Sequence, residues 1–345
     1  MRTRKGARLA LALTLILPLA ALFAASVGSS GLGPLDLLGA IGAKLGLSAS
    51  NLSEIDSRIL LDVRLSRVLL SILVGGGLAA SGVIFQGILL NPLADPYTVG
   101  VSSGAALGAS VAILAGLGGY TAAGLGLLPL AAFTGAILAL TLVHLLASAR
   151  GYSGSGTLIL AGIVVSTTLS AGISLLKSLN EESVSSIVFW IMGSLSGRGW
   201  GHAVFSLPYI VAGLSIAFWL GRDLDLLALG EDGARQMGVD SAKVRKLLLV
   251  SASVMTGACV AVSGVIGFVG LIVPHLVRTA TGPSHRQLLL NSFLAGGILL
   301  SLADALSRTI LPGGEEIPVG VVTALIGGPF FCWLLGRKSS GRAMG

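Results

Sequence analysis

Charge is what this chain has least of. Only 11% of its 345 residues are Asp, Glu, Lys or Arg, against about 25% in soluble domains. So few charges cannot clothe a water-soluble body. Cysteine is nearly absent: Cys259 and Cys332 both fall in apolar runs and read as small buried residues without a disulfide or metal role. The four histidines, His144, His202, His275 and His285, stand at spacings that suit no metal site. No Ser-His-Asp or paired-carboxylate constellation points to catalysis. The phosphate loop Gly-x-x-x-x-Gly-Lys-(Ser/Thr) occurs nowhere, so any ATP hydrolysis linked to this chain belongs to another polypeptide.

Apolar residues take the place of the missing charge. They make up 54% of the chain, and the mean hydropathy is +0.93. Runs near 20 residues recur, each long enough for a hydrocarbon core of roughly 30 Å. They are continuous rather than alternating, which predicts membrane helices and not a barrel. Spans are predicted over 9–27, 59–90, 96–117, 127–148, 157–178, 203–221, 243–263, 264–280, 287–306 and 317–336, about ten in all. Residues 243–280 are short for two crossings, and 185–200 read as a short helix that does not span. The N-terminus begins like a secretory signal, with Arg2, Arg4, Lys5 and Arg8, but its apolar stretch exceeds the about 7–15 residues of such a signal. An uncleaved first helix is the reading. The 50 glycines favour close helix packing, and Gly104 with Gly108 form one GxxxG pair.

The net charge of +7 sits at loop ends, which argues for membrane orientation and against nucleic acid. Arg222, Arg235, Lys243, Arg245 and Lys246 share one side with both termini, and the positive-inside rule makes that side cytoplasmic. The opposite loops carry Asp36, Glu54, Asp56, Glu181, Glu182, Glu315 and Glu316.

Two segments break the apolar pattern. In Asn91-Pro-Leu-Ala-Asp-Pro96, Pro92 and Pro96 withhold backbone donors and push their predecessors away from helix, so a forced break is predicted at the cytoplasmic end of the second span. Ser81-Gly-Val-Ile84 before Pro92 is echoed by Ser263-Gly-Val-Ile266 before Pro274 at equal spacing, a hint of duplicated halves. In 226–240, Gly230 and Gly238 are placed to end helices in left-handed conformations. Two short helices joined by a turn are predicted there, with Glu231 and Asp232 near a helix start.

The run Leu227-Ala-Leu229-Gly230-Glu231-Asp-Gly-Ala234-Arg235-Gln-Met237-Gly238 resembles the cytoplasmic coupling segment of the FecCD-type permeases of ABC importers for iron chelates, haem and vitamin B12, with Met237 for the usual Leu. Further stretches resemble that family in order along the chain: Arg64-Leu-Ser-Arg67 (Ser66 for Pro), Gln86 to Gly108, Phe189 to Leu195, Ile266-Gly-Phe-Val-Gly-Leu-Ile-Val-Pro-His-Leu-Val-Arg278, and Ala303-Asp304, Arg308, Glu316 to Gly320 and Gly327 to Phe330. Asn291 stands where the family often has Pro.

The resemblance implies an all-α, vitamin B12 importer permease-like fold over 1–345, with the coupling segment at 223–241. It implies a homodimer in a bacterial cytoplasmic (inner) membrane, with a pathway lined by the fifth spans and the short helix after them. Two ATPase subunits, which would use the ATP and Mg, are implied at Leu229, Gly230, Glu231, Ala234, Arg235 and Gly238; this chain is expected to bind no cofactor and no metal. A periplasmic or lipid-anchored binding protein is implied at Arg64, Arg67 and Arg308, since the planar guanidinium pairs bidentately with carboxylate. Snorkelling at a helix end is the alternative for these arginines. Ser166, Ser170 and Ser174 recur every four residues and suit either a pathway wall or helix-packing glue. Asn91, Pro92, Asp95, Pro96, Pro274, His275 and Arg278 read as structural, with His275 beside a proline-induced break. Asp95 reads as a boundary residue and Asp304 as paired with Arg308. The rival functions are an ion-coupled secondary transporter and a membrane enzyme.

Overall fold

The computed structural model describes residues 2–28, 31–47, 52–117, 121–122, 125–148, 155–311 and 314–340. Helix dominates: α1 (Arg2–Ser26), α2 (Pro34–Lys44), α3 (Glu54–Arg58), a π-helical stretch (Ile59–Leu65) running into α4 (Ser66–Ile88), α5 (Val101–Leu114), α6 (Leu127–Ser148), α7 (Ser155–Leu179), α8 (Val184–Ile191), α9 (Trp200–Trp219), α10 (Gly221–Leu227), α11 (Glu231–Gln236), α12 (Ser241–Ser263), α13 (Val269–Thr281), α14 (His285–Ser307) and α15 (Val319–Ser340). Between α5 and α6, β1 (Thr121–Ala122) pairs antiparallel with β2 (Leu125–Gly126).

Among the described residues seven helices are long and apolar enough to cross a membrane by length and composition, and Val101–Leu114 and Val319–Trp333 are shorter apolar helices. The outer layer is apolar toward its surroundings: Leu11, Leu15 and Leu19 of α1, Leu138 and Leu142 of α6, Ile163 and Val164 of α7, and Val211 and Phe218 of α9 are all exposed. In water that pattern would aggregate; in lipid it is the solvated face.

α4 is the axis of the subunit, buried along nearly its whole length. Its glycines explain how neighbours reach it. A Cβ on Gly75 would overlap the Gly296 carbonyl of α14, and one on Gly296 would overlap the Gly75 carbonyl. With no hydrophobic force to drive helices together in lipid, such contact of bare backbones supplies the van der Waals energy. The GxxxG pair does the same between α5 and α6: Gly104 meets Gly135, and Gly108 meets Ala131.

Several expectations are corrected. The third span begins at Val101, because 91–100 form turns that fold inward. α13 has 13 residues, about 20 Å of helix, too short to cross alone. It starts after a buried turn in which Gly264 (φ 71°) and Phe268 (φ 67°) take left-handed conformations, so the chain from α12 turns back inside the protein. The break lies at this turn, and α13 runs through Pro274 without ending. The ring removes the bond to the carbonyl four residues back, that of Gly270. The echoed tetrapeptides differ in conformation: Ser81 to Ile84 lie within α4, whereas α12 ends at Ser263. Cys259 is buried, but Cys332 is exposed on α15, on an apolar helix that faces outward. The stretch 29–58, read as a loop, contains α2 and α3.

Candidate functional site

The helices leave two functional ends, separated by the length of α9, about 30 Å for its 20 residues. At one end, α9 is followed by α10, α11 and the start of α12. Gly230 (φ 93°) precedes α11 and Gly238 (φ 83°) follows it, so the predicted helix–turn–helix is present. The Gly238 and Val239 N–H groups donate to Arg235 and Ala234 and close the C-terminus of α11. Ala234 is fully buried and anchors α11, whereas Leu229, Arg235 and Met237 are exposed. The Glu231 side chain lies outside the described residues.

A residue that sequence reading missed fixes this segment to the membrane core. Asp225 of α10 accepts the His285 N–H at 2.8 Å, and its Oδ1 lies 2.6 Å from His285 Nδ1. The carboxylate thereby caps α14, whose own N-cap Ser284 makes no side-chain bond. His285 is buried, with Nε2 facing the space that Gly87 leaves open. Arg278 of α13 reaches Gln86 of α4 at 3.5 Å, and Asp225 acts on it electrostatically. A signal did exist in the sequence, an acid near an α14 start of Ser-His, but nothing local joined two residues 60 positions apart.

The segment 91–100 lies inward from this end. Asn91 Oδ1 accepts the Leu93 N–H, and Asp95 Oδ1 accepts the Tyr97 N–H at 2.7 Å, two Asx turns around Pro92 and Pro96. Tyr97 then donates its hydroxyl to the Ile266 carbonyl at 2.5 Å and accepts the Ile266 N–H at 3.2 Å. Pro96 packs on Gly270. The segment therefore fastens the buried turn before α13, a deeper role than the boundary expected for Asp95. His275 is half-buried on α13 and has an interaction partner within the chain.

At the other end the three arginines are bound internally. Arg67 forks onto Asp304, Nε to Oδ2 at 3.0 Å and Nη2 to Oδ1 at 2.9 Å, and its Nη1 holds Glu316 at 2.9 Å. Arg308 donates to the Val27 and Ala24 carbonyls at the end of α1, both at 2.8 Å, and lies 3.4 Å from Asp304. Arg64 donates to the Ala25, Ser26 and Leu32 carbonyls. Arg64 and Arg67 are 6% and 7% exposed, so neither is snorkelling into water. They brace α1, α4 and α14 together. Asp304 thus pairs first with Arg67 and only then with Arg308.

Beside this brace lies a cavity of about 1070 Å³, walled by the ends of α5 and α12, the start of α6, α8, the loop from Ser194 to Arg198 and His202 in the first turn of α9, with Glu316 at its edge. Among the described residues Trp190 Nε1 and Arg198 Nε are buried in this wall without hydrogen-bond partners, and beyond Arg198 the His202 ring meets only the Gly199 carbonyl. Burial pulls the Arg198 guanidinium below its ordinary range. Sequence reading passed over this group, because nothing marks a lone Arg and His four residues apart as more than a helix start. The serines of α7 stand apart from the cavity. Ser170 and Ser174 are exposed on the apolar outer face and Ser166 is half-buried near Gly100.

Comparison with known proteins agrees with this architecture. The profile of the FecCD transport family matches residues 14–337. The chain is 43% identical over 273 residues to the cobalamin import system permease protein BtuC of Halobacterium salinarum, covering 79% of this chain and 72% of that one. It is 38% identical over 286 residues to the hemin transport system permease protein HmuU of Yersinia pestis, 83% and 85% covered. It is 36% identical over 336 residues to the molybdate import system permease protein MolB of Haemophilus influenzae, 95% of each chain. A solved structure described as an inward-facing conformation of a putative metal-chelate type ABC transporter superposes with a TM-score of 0.82 at 34% identity, covering 96% of this chain and 99% of that one. The chain belongs to the FecCD transport family: it is a multi-pass permease subunit of an ABC importer and not itself an enzyme.

Proposed function

We propose that this permease works as a homodimer, one domain over 1–345 per subunit, in a bacterial cytoplasmic membrane with both termini inside. Two ATPase subunits dock on α10–α11, and a binding protein delivers an iron chelate, haem or cobalamin at the opposite end. The observation that carries this reading is the α10–α11 pair, an exposed connector anchored by Ala234 and tied to α14 through Asp225. A partner that closes on ATP moves a rigid lever here, and the lever moves the core. Nucleotide shifts the access equilibrium only through unequal affinity for the two states.

The docking arginines Arg64, Arg67 and Arg308 fit this picture through exchange. Each already holds carbonyls or carboxylates, so a binding protein's acids meet them only by displacing those partners. The exposed serine face of α7, with Ser170 and Ser174, fits the second subunit or the pathway between subunits.

Co-purification tests the reading. An ATPase subunit that copurifies with the wild-type chain is expected to be lost from a Glu231→Ala/Arg235→Glu variant that still inserts. ATP-independent uptake by the chain alone, collapsing with the ion gradient, would establish the secondary-transporter reading instead.

A further inference from the structure

The wall of the large cavity carries serine hydroxyls and the carboxylate of Glu316, yet leaves buried donors of Arg198 and Trp190 unmatched. Arg198 Nη1 lies 3.4 Å from His202 Nε2. Arginine has no lone pair to give, so Nε2 must be the acceptor and the imidazole proton must sit on Nδ1. Among the described residues Arg198 Nε–H and the indole N–H of Trp190 have no acceptor, and beyond Arg198 the His202 ring meets only the Gly199 carbonyl. Arg198 makes no ion pair among the described residues, and the one carboxylate of the wall, Glu316, is held by Arg67 at 2.9 Å. A half-buried cation without a counter-ion, whose buried Nε–H and the buried Trp190 N–H lack acceptors, costs free energy unless something supplies oxygen.

We propose that this cavity is a cargo station selective for anionic, oxygen-rich molecules, in which Arg198, assisted by His202 and Trp190, takes a carboxylate or comparable oxyanion of the transported species. The proposal rests on the reading that cargo enters at the end opposite α10–α11. It goes further by naming cargo charge. A guanidinium that is half-buried attracts an anion more than one in bulk solvent. Phe189 and Trp190, lining the same space, suit a planar or chelate body behind the anionic group. A cargo whose periphery is neutral gains only the aromatic contact, and a cationic one is repelled.

Direct binding to the purified permease–ATPase complex in nanodiscs, without binding protein, tests this with three probes: ferric dicitrate and haemin as anions, and cyanocobalamin as a bulky neutral comparison. At least one anion is expected to bind more tightly than cyanocobalamin. Arg198→Gln should weaken that anion about tenfold or more, Arg198→Lys should restore part of it, and cyanocobalamin should be unaffected. Basal ATP hydrolysis should stay at the wild-type rate in both variants, which separates loss of the site from loss of the fold. Anion affinity unchanged by Arg198→Gln, or no anion binding by an active wild-type complex, overturns the proposal. So does loss of binding-protein docking with cargo affinity intact, since the donors would then serve a protein carboxylate. Failure of the ATPase to copurify would instead strike the importer assembly itself.

Discussion

A single oxygen of Asp225 serves two groups of His285, accepting its backbone N–H at 2.8 Å and standing 2.6 Å from its imidazole. Asp225→Ala removes a helix cap and leaves a buried imidazole unpartnered, at a cost of about 1–2 kcal/mol. The expected outcome is split activity: basal ATP hydrolysis persists while transport per ATP falls. Asp225→Asn keeps an acceptor and should fall less. Equal loss of both activities would mark the pair as scaffold only.

Asp304 and Arg67 should behave as a unit. Asp304→Ala leaves the buried Arg67 guanidinium with Glu316 alone, and breaking such a buried pair costs up to about 3–5 kcal/mol. Thermal unfolding in detergent should show a large loss, partly regained in Arg67→Met/Asp304→Leu. If docking also uses Arg67, that double variant folds but binds the binding protein weakly, and wild-type docking weakens as salt rises.

Gly82→Ala is expected to disrupt insertion or assembly. Its Cβ would overlap the Gly270 carbonyl, the oxygen freed by Pro274, so α4 and α13 must part. Overpacking of this kind costs about 1–3 kcal/mol or more. Yield of monodisperse protein measures it, with Gly39→Ala as control, since among the described residues no atom outside its own helix backbone lies within 4 Å of a Cβ there.

Tyr97→Phe removes a hydroxyl that both donates to and accepts from Ile266. The Ile266 N–H then lies unsatisfied in a buried turn, a penalty of about 1–3 kcal/mol. Faster amide exchange across 264–268 is the expected signature, with α6 unchanged.

Gly230→Ala and Gly238→Ala each place a Cβ in a left-handed conformation, at about 1–2 kcal/mol. Among the described residues neither added Cβ meets an atom within 4 Å, so the effect is on backbone shape. Weaker ATPase association with a normal membrane core is expected.

Much of the architecture was legible from the chain itself. The long apolar runs gave the spans of α4, α6, α7, α9, α12 and α14 within a few residues, and Gly230 and Gly238 marked the limits of α11. Where reading slipped, local pattern met a tertiary demand. The 264–280 stretch has the hydropathy of a span, yet its first residues are spent on a buried turn that Tyr97 holds from another part of the chain. Asp95 looks like a loop acid beside two prolines, yet its segment folds inward because Pro96 fits against Gly270.

By itself the sequence determined the membrane setting, the helical class and the family, because these follow from composition, period and ordered motifs, all properties of neighbouring residues. Only the tertiary structure decided who meets whom. Arg64, Arg67 and Arg308 read as outward-facing charges, and packing turned them onto α1, Asp304 and Glu316. Arg198 and His202 read as nothing in particular, and packing set them in a cavity wall with the Arg198 Nε–H unmet among the described residues. A charge in a low-dielectric interior takes its meaning from the partner within about 4 Å. For Arg67 that partner is 237 residues away.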